Sequence, residues 1–322
     1  MPGQLCVHAA TPLEEALGDL RISGNVLLHE SYVAPWAIEV PDQKVLQAMM
    51  GVTADTRVVP FHLVKGGEFE LSGPGVRSLR AAVDDVVLCP GGRRHQMRRG
   101  RPARAASMQC ILEGKSKLRS GTGPKSTELI CGVFVMQSAP LSPLLASLPD
   151  YLRCATAGPE ADPMLARAAD LLAAEVRTPD RQLGEFTRSR LLEIFCAEAI
   201  RSFQSEPGAA SSGWLRALRD PKVSIALSRI HAEPGIAWSV EKLARLSSLS
   251  PSRFAARFRD TVGTTAMDYV AQWRIQVACR LLRQGQLSVD AIAARCGYAS
   301  SATFGRAFKS LVGVAPTRWH PR

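Results

Sequence analysis

No run of the 322 residues approaches the ~18 consecutive apolar residues that a membrane-spanning helix needs, which excludes a spanning protein. The stretch from Met1 to Ala10 lacks both the basic start and the apolar run of a signal peptide, so the expected location is cytoplasmic. The eight cysteines stand singly at positions 6, 89, 110, 131, 154, 196, 279 and 296. Without a CxxC pair a structural zinc knuckle has no framework, and in a reducing compartment a disulfide scaffold is not expected. Acidic residues are scarce in one region only. From Pro221 to Arg322 there are 5 Asp/Glu against 15 Lys/Arg, whereas the first 220 residues hold 24 against 25. One third of the chain therefore carries nearly all of the net charge of +11, and a basic domain beside a neutral one points to a polyanionic partner for the basic part.

What is present is ordinary globular usage, 46% hydrophobic and 21% charged residues, in a chain long enough for about two domains. Ser205 to Gly213 is small, flexible and short of anything to bury, which reads as a linker; Ala155 to Pro163 is a second break. Up to about Leu148 the pattern is β. The candidate strands are Asn25–Val40, Val58–Leu71 around the Gly66-Gly67 turn, Val83–Cys89 stopping at Pro90-Gly91-Gly92, Met108–Leu112 and Thr127–Met136. Short strands between Gly/Pro turns suggest a sandwich or barrel, preceded by a short helix over Thr11–Leu20. The second piece is helical, with apolar stripes over Pro163–Val176 and Phe186–Phe203. These stripes need a partner, either the chain's own domains or a second copy.

The third piece contains an internal repeat. Ser239-Val-Glu-Lys-Leu-Ala-Arg245 matches Ser288-Val-Asp-Ala-Ile-Ala-Ala294 at an offset of 49. Phe254, Phe258, Arg259 and Gly263 match Phe304, Phe308, Lys309 and Gly313 at an offset of 50. Each copy reads as helix, short turn, helix. Ser250 with Pro251, and Ser300, suit N-caps, and Gly263 and Gly313 suit helix stops. Phe254, Phe258 and Val262 in the first copy, and Phe304, Phe308 and Leu311 in the second, are expected to be buried. The helix-turn-helix pattern thus occurs twice. Ala266–Leu282 between the copies reads as one helix, and about 20 residues at ~1.5 Å rise span roughly 30 Å. That is near the ~34 Å between major-groove segments one turn apart, so one polypeptide could place two recognition helices in adjacent grooves.

At these residues, over roughly Pro221 to Trp319, the sequence resembles the AraC/XylS family of bacterial transcription regulators. The resemblance is carried by Ile230-His-Ala-Glu-Pro234 with Trp238, Ser252-Arg-Phe-Ala-Ala-Arg-Phe-Arg259, Trp273-Arg274, Ala291-Ile-Ala-Ala-Arg-Cys-Gly-Tyr298, Phe304-Gly-Arg-Ala-Phe-Lys309 and Gly313-Val-Ala-Pro316. The N-terminal half is similar to the cupin-like sensor domain of one branch of that family, through Phe61-His62-Leu-Val-Lys-Gly-Gly67, Asp84-Asp-Val-Val-Leu-Cys-Pro-Gly-Gly-Arg-Arg-His95 and Leu141–Pro149. The resemblance implies an α+β multidomain protein. A cupin-like β-barrel over 1–150 precedes a helical coupling or dimerisation segment over 151–213. An all-α tandem helix-turn-helix domain over 214–322 follows, with motifs near 240–262 and 289–312. It also implies a DNA-binding transcription regulator that is not an enzyme, an activator contacting RNA polymerase, and a homodimer is a further possibility. The competing class is a metal-dependent cupin enzyme with a DNA-binding tail. A catalytic metal cupin needs three or four converging ligands, and only His62 and His95 are evident, since His62 stands alone without an HxH pair and Glu68 and Glu70 are uncertain equivalents of the motif's glutamate. No cofactor is expected.

With the buried phenylalanines turned inward, a rotation of 100° per residue assigns the outward faces of the two recognition helices. The first carries Ser252, Ala256 and Arg259, flanked by Arg253 and Ala255; the second carries Ala302, Arg306 and Lys309, beside Ser301 and Gly305. By alignment the family's base-reading positions fall on Ser252, Ala255, Ala256, Ser301, Ala302, Gly305 and Arg306. Small side chains make no bidentate base contact, so Arg306 is the expected reader, and Arg259 and Lys309 are expected at phosphates. Arg257, Arg274 and Arg295 are candidates for internal ion pairs. The effector, a small molecule or an oxidant, is expected near His62, Cys89 and His95. Cys89 is a thiol candidate because Arg93, Arg94 and His95 follow it, at a turn where its sulfur would be reachable. Residues 214–322 are expected to fold alone and to bind duplex DNA with affinity that falls steeply as salt rises; a titration flat between low and physiological salt would remove the electrostatic argument.

Overall fold

The computed structural model describes residues 11–18, 20–53, 56–101, 104–137, 142–159, 161–178, 184–205 and 213–319. Most of the linker read at Ser205–Gly213 lies outside them, as do Leu141 and the N-terminal stretch from Met1 to Ala10. Among the described residues no helix is long and apolar enough to cross a membrane. The chain forms two compact units: residues 21–137 with 148–209, and residues 1–20 and 138–147 with 210–322.

The first unit holds strands β1 (Arg21–Val33), β2 (Trp36–Val40), β3 (Arg57–Gly66), β4 (Glu68–Gly73), β5 (Val76–Ala82), β6 (Asp85–Leu88), β7 (His95–Arg99), β8 (Ala106–Ser107), β9 (Ser126–Gln137) and β10 (Leu152–Ala155). They form two five-stranded sheets, ordered β1-β9-β3-β6-β10 and β5-β4-β7-β2-β8. Every pairing is antiparallel except that of β2 with β8. The inner faces share one core, in which Trp36, Ile38, Phe69 and Met97 of the second sheet meet Leu28, Val64, Val87 and Leu129 of the first. The architecture is a two-sheet jelly roll, not a closed barrel.

The centre of the first sheet is β3, buried continuously from Val58 to Val64. A strand with no exposed side chain must be covered on both faces. One face looks into the sandwich. The other lies under the helices: Phe61 stacks on Phe134 with ring centroids 4.7 Å apart and meets Phe195 edge-on at 5.7 Å. Gly132 pairs with Phe61 across the strands, and a Cβ there would sit 2.6 Å from the Phe61 ring. Of the unit's helices, α2 (Gln43–Met50) and α3 (Met108–Leu112) lie in connections, and α5 (Pro163–Val176) and α6 (Gly184–Ser205) cover the sheet. The apolar stripes read from the sequence thus find a partner in the chain's own sheet: Leu165, Leu172, Leu192, Phe195, Ala199 and Phe203 are all buried. Met108–Leu112, expected as a strand, is helix α3, because the Ser107 hydroxyl accepts the Cys110 N–H at 3.1 Å and caps the turn.

The second unit contains α1 (Pro12–Gly18), α4 (Pro143–Ser147), α7 (Gly213–Arg219), α8 (Pro221–Ala232), α9 (Val240–Leu246), α10 (Pro251–Val262), α11 (Ala266–Gln284), α12 (Val289–Arg295) and α13 (Ser301–Val312), closed by a 3-10 turn at Pro316–Arg318. The sequence places α1 and α4 in the first domain, within 1–150, whereas here they pack with the C-terminal helices. Helix α1 contacts α4 and α8, and α4 contacts α7, burying Ala16, Leu144 and Leu145. A fragment beginning at residue 214 lacks both segments. The repeat is visible in the caps. Ser239 and Ser288 cap α9 and α12, Ser250 and Ser300 cap α10 and α13, and Gly263 and Gly313 end the latter two at φ 90° and 88°. Phe254, Phe258, Phe304 and Phe308 are fully buried. Val262 and Leu311, expected inside, are only half-buried; beside Val262 it is Thr261 that faces inward, because its hydroxyl donates to the Arg257 carbonyl at 2.5 Å and is thereby satisfied.

The core of this unit turns on His231, which lies parallel to Trp273 with ring centroids 3.5 Å apart. Its Nδ1 is 3.0 Å from Glu15 Oε2 and its Nε2 is 2.7 Å from the Tyr269 hydroxyl. One neutral tautomer satisfies both: Nδ1–H donates to the carboxylate, and the tyrosine donates to Nε2. Replacing His231 by Ala removes the stacked ring and leaves the buried tyrosine and the Glu15 carboxylate without this partner. We expect His231→Ala to cost about 2–4 kcal/mol in urea unfolding; a loss under ~1 kcal/mol would show that the stack is not structural.

Candidate nucleic-acid interface and inner histidine–cysteine cluster

Both recognition helices begin at a serine cap. The Ser250 hydroxyl accepts the Arg253 N–H, and the Ser300 hydroxyl accepts the Thr303 N–H at 3.2 Å. Each then buries its phenylalanines and turns the rest outward. Ser252, Arg253, Ala255, Ala256 and Arg259 are exposed on α10, as are Ala302, Arg306 and Lys309 on α13. Ser301 and Gly305 are half-buried, and the Ser301 hydroxyl donates to Asp290. Between the two motifs α11 has 19 residues, a rise of about 28 Å at ~1.5 Å per residue.

Internal pairing sorts the cations. Arg257 Nε reaches both oxygens of Asp220, at 2.8 and 3.1 Å, as the sequence suggested. Asp220 also caps α8, accepting the N–H groups of Lys222 at 2.9 Å and Val223 at 3.3 Å. Burial raises its pKa, but these bonds from Arg257 and the backbone outweigh it, so the carboxyl stays below its ordinary range. Arg274 pairs with no acid among the described residues. It donates to the carbonyls of Pro234 and Ile236 and lies over the Tyr298 ring, so it ties backbone to backbone. Arg295 has no ion-pair partner among the described residues. The same holds for Arg253, Arg259, Arg306 and Lys309, the four cations on the outward faces.

In the other unit His62, Cys89 and His95 come together from separate places in the sequence. His62 lies on β3, whose neighbours across the ladders are Cys131 of β9 and Val87 of β6. Cys89 directly follows β6, its N–H held by the Pro60 carbonyl at 2.9 Å. His95 opens β7 in the facing sheet. His62 Nε2 and His95 Nε2 are 3.0 Å apart, and Cys89 Sγ is 3.6 Å from His95 Nε2. The far nitrogens are also engaged: His62 Nδ1 is 3.2 Å from Cys131 Sγ, and His95 Nδ1 is 2.9 Å from the Arg93 carbonyl. Sequence reasoning missed Cys131, whose only signal is its place in register with His62, and Tyr151, whose ring meets His95 edge-on at 5.8 Å.

All three cluster residues are buried, so two expectations for Cys89 change. Its sulfur is not reachable from solvent. Nor do the following arginines act on it, because Arg93 pairs with Asp150 at 2.7 Å and Arg94 pairs with Glu39. Burial, with Cys131 adding to it, pushes the Cys89 thiol well up instead of down. Burial also drives His62 well below the imidazole range, reinforced by His95, and lowers His95 to about 4. Both rings are therefore neutral at pH 7. Glu68 and Glu70 do not join the cluster; they pair with Arg80 and Arg98. The exposed Cys110 provides an internal comparison. Alkylation of the folded protein, mapped by peptide mass spectrometry, should label Cys110 at least ~100-fold faster than Cys89; equal rates would contradict the burial of Cys89.

The sequence matches the cupin family over residues 11–204 and the helix-turn-helix domain family over residues 243–322. It is 30% identical to an AraC-like transcription regulator of Streptomyces lividans over 272 residues, 82% of this chain and 88% of the relative. It is 27% identical to the HTH-type transcriptional regulator AlkR of Acinetobacter baylyi over 314 residues, 95% of this chain and 98% of that one. Among solved structures, the DNA-binding domain of AdpA in complex with a target DNA is 28% identical, at a TM-score of 0.29, over 30% of this chain and 87% of that one. Cupin sheets joined to a capped, repeated helix pair, and kinship along most of its length, make this chain a member of the family of AraC-like transcription regulators.

Proposed function

We propose that this chain is a cytoplasmic, sequence-specific regulator of transcription that reads duplex DNA with α10 and α13, and whose two-sheet domain responds to a small ligand or an oxidant. The observation that carries the reading is the set of four cations, without ion-pair partners among the described residues, on two equivalent, capped helices, in a region with 15 Lys/Arg against 5 Asp/Glu. Cations that serve the fold find acids or carbonyls, as Arg257 and Arg274 do. Cations left outward on recognition helices suit phosphates and base edges. Arg306 is assigned to a guanine, and Arg253, Arg259 and Lys309 to phosphates. Ser252, Ala256, Ser301 and Ala302 are small enough to let the helices approach the bases, and an alanine there can touch a thymine methyl.

Sensing belongs to residues 1–150 and coupling to 151–213, with DNA binding over 214–322, to which α1 and α4 lend structural support. A second copy is the partner proposed for Met164, Leu171, Phe186 and Ile194, which α5 and α6 leave exposed. RNA polymerase is the further partner of an activator. The buried, protonated Cys89 favours a small ligand over direct oxidation of that thiol. No enzymatic activity is proposed, since the relatives along most of this chain are transcription regulators.

The two roles on α13 are separable. Arg306→Ala should relax preference at one base pair, at a cost of about 1–3 kcal/mol on the preferred site. Lys309→Ala should weaken all sequences alike and reduce the salt slope by about one. Selection from randomised duplexes, followed by salt titration of the full chain, distinguishes them. Uniform loss in both variants would make Arg306 a phosphate contact.

A further inference from the structure

The near-neutral balance of the first 220 residues hides a second basic stretch. From Arg93 to Lys125 there are 10 Lys/Arg and one acid, Glu113, so the rest of those 220 residues, at 15 against 23, is acidic. Like charges crowded together repel and weaken a fold unless something neutralises them. Much of this stretch is neutralised within the first unit. Arg93, Arg94, Arg98 and Lys115 pair with Asp150, Glu39, Glu70 and Glu113, and Arg99 donates to the Ser126 carbonyl at 2.6 Å. Arg104 and Lys117 are exposed and have no ion-pair partner among the described residues. Both stand in one open cleft, together with Arg94 and Lys115.

We propose that this cleft, on the solvent side of the second sheet, binds a phosphate monoester of a small hydrophilic molecule. Its volume of about 710 Å³ is ample for such a ligand. The floor is the β7-β2-β8 ladder, where Glu39 of β2 lies opposite Gln96 on one side and Ser107 on the other. The wall is the segment that returns after α3 and carries Lys115, Ser116 and Lys117. It is tied down at both ends: the Lys115 N–H donates to the Cys110 carbonyl at 2.8 Å, and the Arg119 carbonyl accepts the Val33 N–H at 2.9 Å. A backbone already held around the ligand's place leaves less to be ordered on binding.

The lining sets the ligand's charge. Glu39 answers Arg94, and Glu113 answers Lys115 at 2.7 Å, which leaves the two positive charges of Arg104 and Lys117. A phosphate monoester, with about −1.5 to −2 charges at pH 7, cancels both, whereas a single carboxylate cancels one. The donors agree with the charge. The Ser107 hydroxyl accepts the Cys110 N–H and the Ser116 hydroxyl accepts the Leu118 N–H, each at 3.1 Å, so each keeps a proton for which no acceptor is present among the described residues. A guanidinium, an ammonium and two hydroxyls suit the three acceptor oxygens of a phosphate, while one arginine fork already satisfies a carboxylate. No aromatic ring lines the cleft, so it offers a base nothing to stack on.

The inference does not rest on DNA binding, since a chain that bound no DNA would still hold the ester. Cys110 lines the cleft and is exposed, so its reactivity reports occupancy in the unmodified, full-length protein. Its alkylation by iodoacetamide, a neutral reagent, is followed by peptide mass spectrometry at constant ionic strength, with glycerol 3-phosphate or succinate added. Glycerol 3-phosphate should slow labelling at least ~3-fold, saturating with a midpoint on the order of 1 mM, and succinate should slow it less than ~1.5-fold. Arg104→Gln and Lys117→Gln change exposed side chains outside the core, and each should raise the midpoint at least ~5-fold. No saturable protection by glycerol 3-phosphate, an unaltered midpoint in both variants, or equal protection by succinate would overturn the assignment. Protection by a random-sequence duplex in place of the ester would give these cations to nucleic acid and overturn it as well.

Discussion

The double burial of β3 is the constraint on which the first unit depends. From Val58 to Val64 the strand exposes nothing, so one sheet face must be closed by the second sheet and the other by helices. Phe61 faces Phe195 and Phe134, while His62, one residue later, points the other way into the sandwich. Period-two alternation therefore fixes where a polar ring can sit. A register slip of one residue would exchange Phe61 with His62 and place an imidazole under α6. The strand also sets the neighbours of His62. Cys131 is its register partner on one side, and the turn holding Cys89 is tied to the Pro60 carbonyl on the other.

In the second unit the organising device is the division of work between the two sides of each recognition helix. A helix of 12 residues cannot be stable in water by propensity alone, so α10 and α13 depend on buried phenylalanine pairs and on caps at both ends. Those requirements occupy the inner face and the termini. The outer face carries no structural duty, and small residues and free cations stand there. Arg257 marks the border between the two sides: on α10, between the exposed Ala256 and the buried Phe258, its guanidinium is spent on Asp220, which in turn caps α8. Its substitution would be read in stability before it was read in DNA affinity.

The all-α architecture of the C-terminal region was legible because local signals and the repeat agree there. Ser250, Ser300, Gly263 and Gly313 are caps in the structure at the positions their residue types suggest, and the phenylalanines are inside. The β region was less legible. Strands β5 and β7 carry arginines and are absent from the candidate strands, because the solvent face of an antiparallel sheet leaves only every second residue apolar. Met108–Leu112 looked like a strand because five residues cannot show a helical period, and Ser107 decided the matter. The cluster was half legible. His62, Cys89 and His95 could be named as chemistry-bearing residues, but their convergence depends on strands from two sheets, and no spacing encodes that. Burial of the sulfur likewise follows from the facing sheet, so a thiol that looked activated by its sequence neighbours is in fact held protonated.

Helices α1 and α4 show the same limit at a larger scale. Both are short, and both precede or follow β structure in the chain, so sequence order assigns them to the sheets. Their packing assigns them to the C-terminal unit, where Glu15 supplies the acceptor for His231 and the Ser147 hydroxyl accepts the N–H of Trp214. The chain consequently passes between the two units four times. Units joined by one flexible linker exchange little beyond effective concentration. Two of the passages end in α1 and α4, which pack among the helices of the second unit. His231 stacks on Trp273 of α11, the helix that joins the two motifs, and accepts from Tyr269 one turn earlier on the same helix. Glu15 of α1 and two residues of α11 thus meet at one imidazole, which holds α1 to the helix lying between the two motifs.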